Sequence, residues 1–310
     1  MHSRWYNVTV VGLWLASMSW LLGTKVLPPL LTGEPPNYRA ILAAQEENMP
    51  VGWKLLLNDR PLGWAVSVTH QYPDNTAEIR NRVMLETLPL DELISGLLGE
   101  ILRRSHVFRG SLQMDAQSTL LLDAQGKLKS FDSLVHLEPL GEVIRLEGAI
   151  EGPQLSLSVR AGGSWERRDL YFPTDGLLGD EMSPQMCLPN LHAGRTWKVP
   201  AINPLRPNNP VELLEAKVEG LEPLAWNGQT EDVWLVVYRT EAGNTLGFRR
   251  AERGKLWVRR DGTVLKQQAP FFNAIMTFER LPDEQAARLA EKLQQIDQQQ
   301  AASWAAQQGD

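Results

Sequence analysis

Cys187 and His192 stand five residues apart, and a thiol beside an imidazole is the simplest nucleophilic pair a chain can offer. A cysteine nucleophile needs a base within hydrogen-bond reach, and closeness in sequence does not supply that geometry. The flanking residues carry no transglutaminase or papain-like signature, so the pair reads as a small buried thiol and a loop histidine. His70, His106 and His136 lie on or beside predicted strands without a paired-ligand spacing, and no metal site follows from them. Asp115, Asp123, Asp132, Glu138, Glu142, Glu147 and Glu151 could supply the two carboxylates of a glycosidase only if a cleft held two at a set separation. Alternating with apolar residues, they read as the wet face of strands. The sequence holds no glycine-rich phosphate loop, no GxSxG elbow and no dinucleotide fingerprint. No catalytic residue, metal ligand or cofactor is assigned.

Two groups of residues point to binding. Arg249, Arg250, Arg253, Lys255, Arg259 and Arg260 form the one concentration of charge, interrupted before Asp261 only by Glu252. With Phe248 and Trp257 among them, they could meet an anionic lipid head group, or they could guard an edge strand. Trp64, Trp165, Trp234 and Trp257 fall on predicted strands and are the expected lining of an apolar pocket, with Arg249, Arg250, Arg259 and Arg260 at its rim.

The elements that must position these residues differ along the chain. Residues 1–25 are read as an uncleaved signal anchor. No charge falls between Arg4 and Lys25, and the twenty residues from Trp5 to Thr24 would span about 30 Å as a helix. Trp5, Tyr6, Trp14 and Trp20 suit the interfacial belts of a membrane, and the exit lacks a small-residue cleavage site. Residues 26–50, with five prolines, read as a tether with a helical turn near 38–47. Residues 51–281 read as a β-rich extracytoplasmic domain. Apolar residues alternate at Trp53, Leu55 and Leu57, then at Leu62, Trp64, Val66 and Val68. Turn chemistry recurs at Asn58-Asp59, Asp123–Gly126, Gly152, Gly162-Gly163, Asn227-Gly228 and Asp261-Gly262. An apolar stripe from Leu90 to Leu102 predicts a helix plugging the sheet. Residues 184–210, with six prolines, read as a crossing loop or a seam between sub-sheets. Residues 282–310 read as a helix to about Gln298 and then a frayed Gln/Ala tail.

The chain has 310 residues, a net charge of −6, 43% hydrophobic residues and 22% charged ones. That composition supports a buried core, and the acidic balance excludes nucleic acid as a partner held through phosphates. A single cysteine excludes an internal disulfide.

Four segments stand out: Leu-Asn-Asp-Arg-Pro-Leu-Gly-Trp (57–64), Leu-Asp-Ala-Gln-Gly-Lys-Leu-Lys-Ser-Phe (122–131), Leu-Pro-Asn-Leu-His-Ala-Gly-Arg-Thr-Trp (188–197) and Leu-Trp-Val-Arg-Arg-Asp-Gly-Thr-Val-Leu-Lys (256–266). They resemble a family of uncharacterised bacterial envelope proteins related to the LolA/LolB lipoprotein-localisation fold. The resemblance implies a mainly β (α+β) fold, an antiparallel meander curved into a half-barrel or open barrel around a plugging helix. It also implies an apolar cavity for a lipid, whereas a membrane anchor departs from a diffusing carrier.

These readings combine into an expectation. The chain is a single-pass protein of a bacterial inner membrane with its body in the periplasm. It is non-enzymatic, and binds a membrane lipid, another apolar ligand or other envelope proteins in envelope assembly. The alternative is an envelope hydrolase whose site is dispersed over several strands.

Overall fold

Period-two alternation of the kind seen from Trp53 onward can bury only one side of a strand, so strands built this way need a shared inner face. A computed structural model describes residues 3–22, 36, 38–44, 49–88, 112–161, 163–172, 184–202, 211–240, 251–271 and 274–308. In it fourteen strands form one open antiparallel sheet. They are β1 (Val51–Leu57), β2 (Arg60–Gln71), β3 (Ala77–Leu88), β4 (Leu112–Leu122), β5 (Leu128–Glu138), β6 (Gly141–Glu151), β7 (Gln154–Ala161), β8 (Ser164–Tyr171), β9 (Thr196–Ile202), β10 (Val211–Trp226), β11 (Gln229–Thr240), β12 (Glu252–Val258), β13 (Val264–Phe271) and β14 (Ala274–Arg280). The order is β8-β7-β6-β5-β4-β3-β2-β1-β14-β13-β12-β11-β10-β9. Every neighbouring pair is consecutive in the chain except β1 and β14, which join the two ends of the strand sequence, with Leu55 opposite Phe278.

One face of every strand from β1 to β7 and from β9 to β14 contributes to a single hydrophobic cluster. At about 4.8 Å between strands, fourteen laid flat would spread some 60 Å, so a shared cluster requires the sheet to curl over its inner face. In β4 the alternation is complete: Leu112, Met114, Ala116, Ser118, Leu120 and Leu122 are buried. The expected turns form as their chemistry dictates. Asn58 and Asp59 both take positive φ (47° and 64°), as do Asn227 and Gly228 (48° and 75°), the mirror-image turn that matches strand twist.

The sheet's edges, β8 and β9, are consecutive in the chain, so the segment between them must pass from one edge to the other. Its described part crosses the inner face of the β11–β14 half. Cys187 bridges to Thr263, the Leu188 amide donates to the Gly262 carbonyl at 2.7 Å, and the Gln185 amide donates to Gln267 Oε1 at 2.9 Å. Residues 184–188 are this crossing, residues 196–202 of the stretch expected as a crossing loop or seam form β9, and 203–210 lie outside the described residues.

Among the described residues three helices accompany the sheet: α1 (Ser3–Leu21), α2 (Tyr38–Ala44) and α3 (Asp283–Gln308). The short α2, inside the expected tether, sends Tyr38 and Ile41 into the core beside the β4–β5 turn, where a Cβ on Gly126 would meet Arg39 Cβ at 2.8 Å. Helix α3 lies on the opposite, outer face of β1 and β2. Ala286 is seated on Gly52, and the Lys292 ammonium lies 5.5 Å from the Trp64 ring centroid. It runs through the Gln/Ala stretch that reads as frayed, since both residue types favour helix.

Helix α1 carries Trp5, Tyr6, Trp14 and Trp20, but no helix among the described residues is long and apolar enough to cross a membrane. The expected span is corrected on this point. Freedom from charge is not hydropathy, and Asn7, Thr9, Gly12, Ser17 and Ser19 dilute the aliphatic content. The expected plugging helix at 90–102 lies outside the described residues, as do Arg249 and Arg250.

Candidate functional site

The register of β2 to β5 aligns four polar residues across the inner face. Ser67 lies opposite Asn81, Asn81 opposite Ser118, and Ser118 opposite Ser133. Each occupies the apolar phase of its strand. The rows on either side are apolar: Ala65, Val83, Ala116 and Val135 on one, and Ile79, Leu120 and Phe131, beside Thr69, on the other. The row is sealed at Ser67, nearly buried at Asn81 and Ser118, and half-buried at Ser133, so its accessibility rises toward β5.

Asn81 Nδ2 donates to Ser118 Oγ at a long 3.4 Å. Ser67 Oγ and Asn81 Oδ1 have no hydrogen-bond partner among the described residues. A buried polar atom left unmatched costs about 1–3 kcal/mol, so two in one row need an explanation. The row carries no ionisable group. It can donate from the serine hydroxyls and accept at Asn81 Oδ1, which suits an uncharged hydroxyl or amide rather than a phosphate or carboxylate.

Among the described residues, the sequence-derived binding residues are not brought together; Arg249 and Arg250 lie outside them. Of the four tryptophans, Trp234 alone packs against the inner cluster. Trp64 lies opposite Lys54 on the outer face, beneath α3. Trp257 is also outer, donating its indole N–H to Glu222 with Lys266 over its ring at 5.4 Å. Trp165 is on the edge strand β8, donating to Ser158 Oγ at 3.0 Å. Among the described residues of the basic run, three of the four cations are paired. Arg259 pairs with Glu231 at 2.7 Å and stacks on Trp226 at 5.0 Å, and Glu231 raises its pKa further. Arg253 pairs with Glu212 and Lys255 with Glu252, while Arg260 is exposed.

The nucleophile and carboxylate candidates take structural places. Burial pushes the Cys187 thiol up to about 11, so it is un-ionised at neutral pH and no nucleophile. His192 is exposed, its Nδ1 3.3 Å from the Ala193 carbonyl oxygen. Asp115 is paired with Arg82 at 2.6 Å. Asp132, Glu142 and Glu147 gather around Arg145 on the outer face, at 3.9, 3.0 and 3.9 Å. Among the described residues no group of His, Cys, Asp or Glu could hold a metal ion.

The signal that could have found the polar row was present in each strand, as a serine or asparagine in the apolar phase. Its meaning depends on lateral register, which period-two alternation in single strands does not specify.

No protein-family model matches the chain, and neither does any curated protein. Among solved structures it is similar to a β-barrel-like protein of domain of unknown function DUF1849 from Brucella abortus. Identity is 11%, the match covers 76% of this chain and 97% of that one, and the TM-score is 0.46. It is also similar to a DUF1089 family protein from Pseudomonas aeruginosa, at 16% identity, 69% and 91% coverage and a TM-score of 0.33. Neither is described as a lipoprotein-localisation protein, and the chain itself is a mainly β protein built on one large open antiparallel sheet.

Proposed function

We propose that this chain is a non-catalytic binding module of the bacterial envelope whose curled sheet holds an uncharged amphiphile against its inner face. The observation that carries the reading is the pair of unmatched buried atoms, Ser67 Oγ and Asn81 Oδ1, in an otherwise apolar wall. Ser67, Ala65 and Val83 are sealed, so a ligand hydroxyl or amide reaches the two atoms only when the wall opens from the more accessible Ser133 side, its apolar body then lying along Ala116 and Leu120. The lack of charge in the row disfavours fatty acids and phospholipid head groups at this position.

Attachment to the extracytoplasmic face of a membrane is the second part of the reading. It rests on α1, whose Trp14 and Trp20 are 58% and 74% exposed beside exposed Leu13, Leu15 and Leu21. These exposed indoles suit head-group level, which makes α1 the segment that meets the membrane.

The test uses the full chain in detergent and the emission of its tryptophans, Trp234 among them. Mono-oleoylglycerol binds saturably, oleate binds more weakly, and Asn81→Leu with Ser67→Ala weakens the mono-oleoylglycerol site about ten-fold. Equal binding of the ester and the acid, or none of either, sinks the proposed site. Co-sedimentation with phosphatidylethanolamine/phosphatidylglycerol vesicles that Trp14→Ala with Trp20→Ala leaves unchanged removes the role of α1.

A further inference from the structure

Strand β8 ends the sheet, and among the described residues β7 is its only strand partner. The Phe172 amide donates back to the Pro153 carbonyl at 2.8 Å, so the backbone groups of even-numbered residues in β8 turn toward β7. By alternation, those of Trp165, Arg167, Asp169 and Tyr171 point outward, away from the sheet. Their side chains share the outer face, and Trp165 and Tyr171 are 63% and 74% exposed. Arg167 makes no ion pair among the described residues, whereas Arg168, on the other face, is held by Glu166 at 2.6 Å.

We propose that β8 is the edge through which two copies of this chain pair, antiparallel. Trp165 lies against Tyr171 of the second copy, and Arg167 against Asp169 of the second copy. Backbone geometry limits the choice of register, because only outward-pointing residues can exchange hydrogen bonds, which means odd opposite odd. In the proposed register all four outward residues find a partner, giving about eight backbone hydrogen bonds. The two-fold axis doubles each side-chain pair, so two aromatic pairs flank two Arg–Asp pairs. Sliding the second copy by two residues in one direction sets Arg167 against Arg167 and Trp165 against Asp169. Sliding it the other way sets Asp169 against Asp169. Like charges directly opposite destabilise, so on the outer face one allowed register is complementary and its neighbours are not. On the inner face Arg168 meets Arg168 at the axis, each neutralised by its own Glu166. The same four central charges repel an arbitrary apolar strand, which is how exposed edges avoid indiscriminate pairing.

Two measurements on the full chain in detergent test this. Equilibrium sedimentation shows a monomer–dimer equilibrium. Arg167→Asp weakens it about ten-fold, and Arg167→Asp with Asp169→Arg restores it, because the swap rebuilds both pairs in reverse. Mild oxidation cross-links Arg168→Cys, since position 168 faces itself across the axis at about 4.5 Å between Cα atoms. Arg167→Cys does not cross-link, since its counterpart sits diagonally, at about 7–8 Å. Cys187 is buried and does not compete. A chain monomeric at every concentration, a dimer indifferent to Arg167→Asp, or equal cross-linking at 167 and 168 overturns the proposal.

Discussion

Trp53 is fully buried at the centre of the sheet, and its indole N–H finds no partner among the described residues. Its contribution is therefore volume. Trp53→Ala is expected to cost about 3–5 kcal/mol in chemical denaturation. Trp53→Phe should cost markedly less, because the group it removes is unmatched in the fold. If Phe and Ala destabilise equally, the N–H has a partner after all. Glu78 behaves differently. Arg80 donates to it at 2.6 Å and the Tyr72 hydroxyl at 2.7 Å, and these bonds hold its carboxyl below the usual range against opposing desolvation. A folded-state pKa below the unfolded value of about 4.3 means its stabilisation is fully present above that pH. It is lost as pH falls through the folded value. Glu78→Gln should thus lower the melting temperature at pH 7 and make no difference at the acid end of the titration. Single residues read well for side-chain type and poorly for direction: Trp64 and Trp257 were legible as strand tryptophans, yet a strand has two faces and both sit on the outer one.

Among the elements, α3 depends on one contact that only a small residue permits. A Cβ on Gly52 would come within 2.9 Å of Ala286 Cα, and backbone cannot yield as a flexible side chain does. Gly52→Val is expected to lift the helix and cost about 1–3 kcal/mol, with the near-ultraviolet signal of Trp64 altered as its cover moves. Gly52→Ala should fall between the two, and an unchanged Trp64 signal in Gly52→Val would show that α3 does not rest there. The turns were the most legible elements, because Asn-Gly at 227–228 and Asn-Asp at 58–59 encode positive φ within two residues. The 184–188 crossing was legible only as a proline-rich irregular stretch. Its backbone amides donate to Gly262 and Gln267, more than seventy residues away in sequence, and no local pattern announces them.

For the whole molecule, the decisive contact is β1 against β14, which joins the first strand to the last. A chain ending before Ala274 loses that ladder and exposes Trp53 and Leu55 along a new edge. It should show no cooperative thermal transition by circular dichroism, whereas removal of residues after Gln298 should leave the transition in place. Cooperative unfolding of the shorter chain would mean that the two halves of the sheet fold independently. By itself the sequence determined that this is a mainly β protein with turns at these positions, because alternation and turn chemistry act over two to four residues. The tertiary structure alone decided which strands are neighbours, which face is inner and which polar residues align. Those depend on lateral register between strands as much as 200 residues apart, and a slip of one residue there exchanges the faces of an entire strand. The row from Ser67 to Ser133 and the place of β8 at the end of the sheet therefore emerge only once the sheet is assembled.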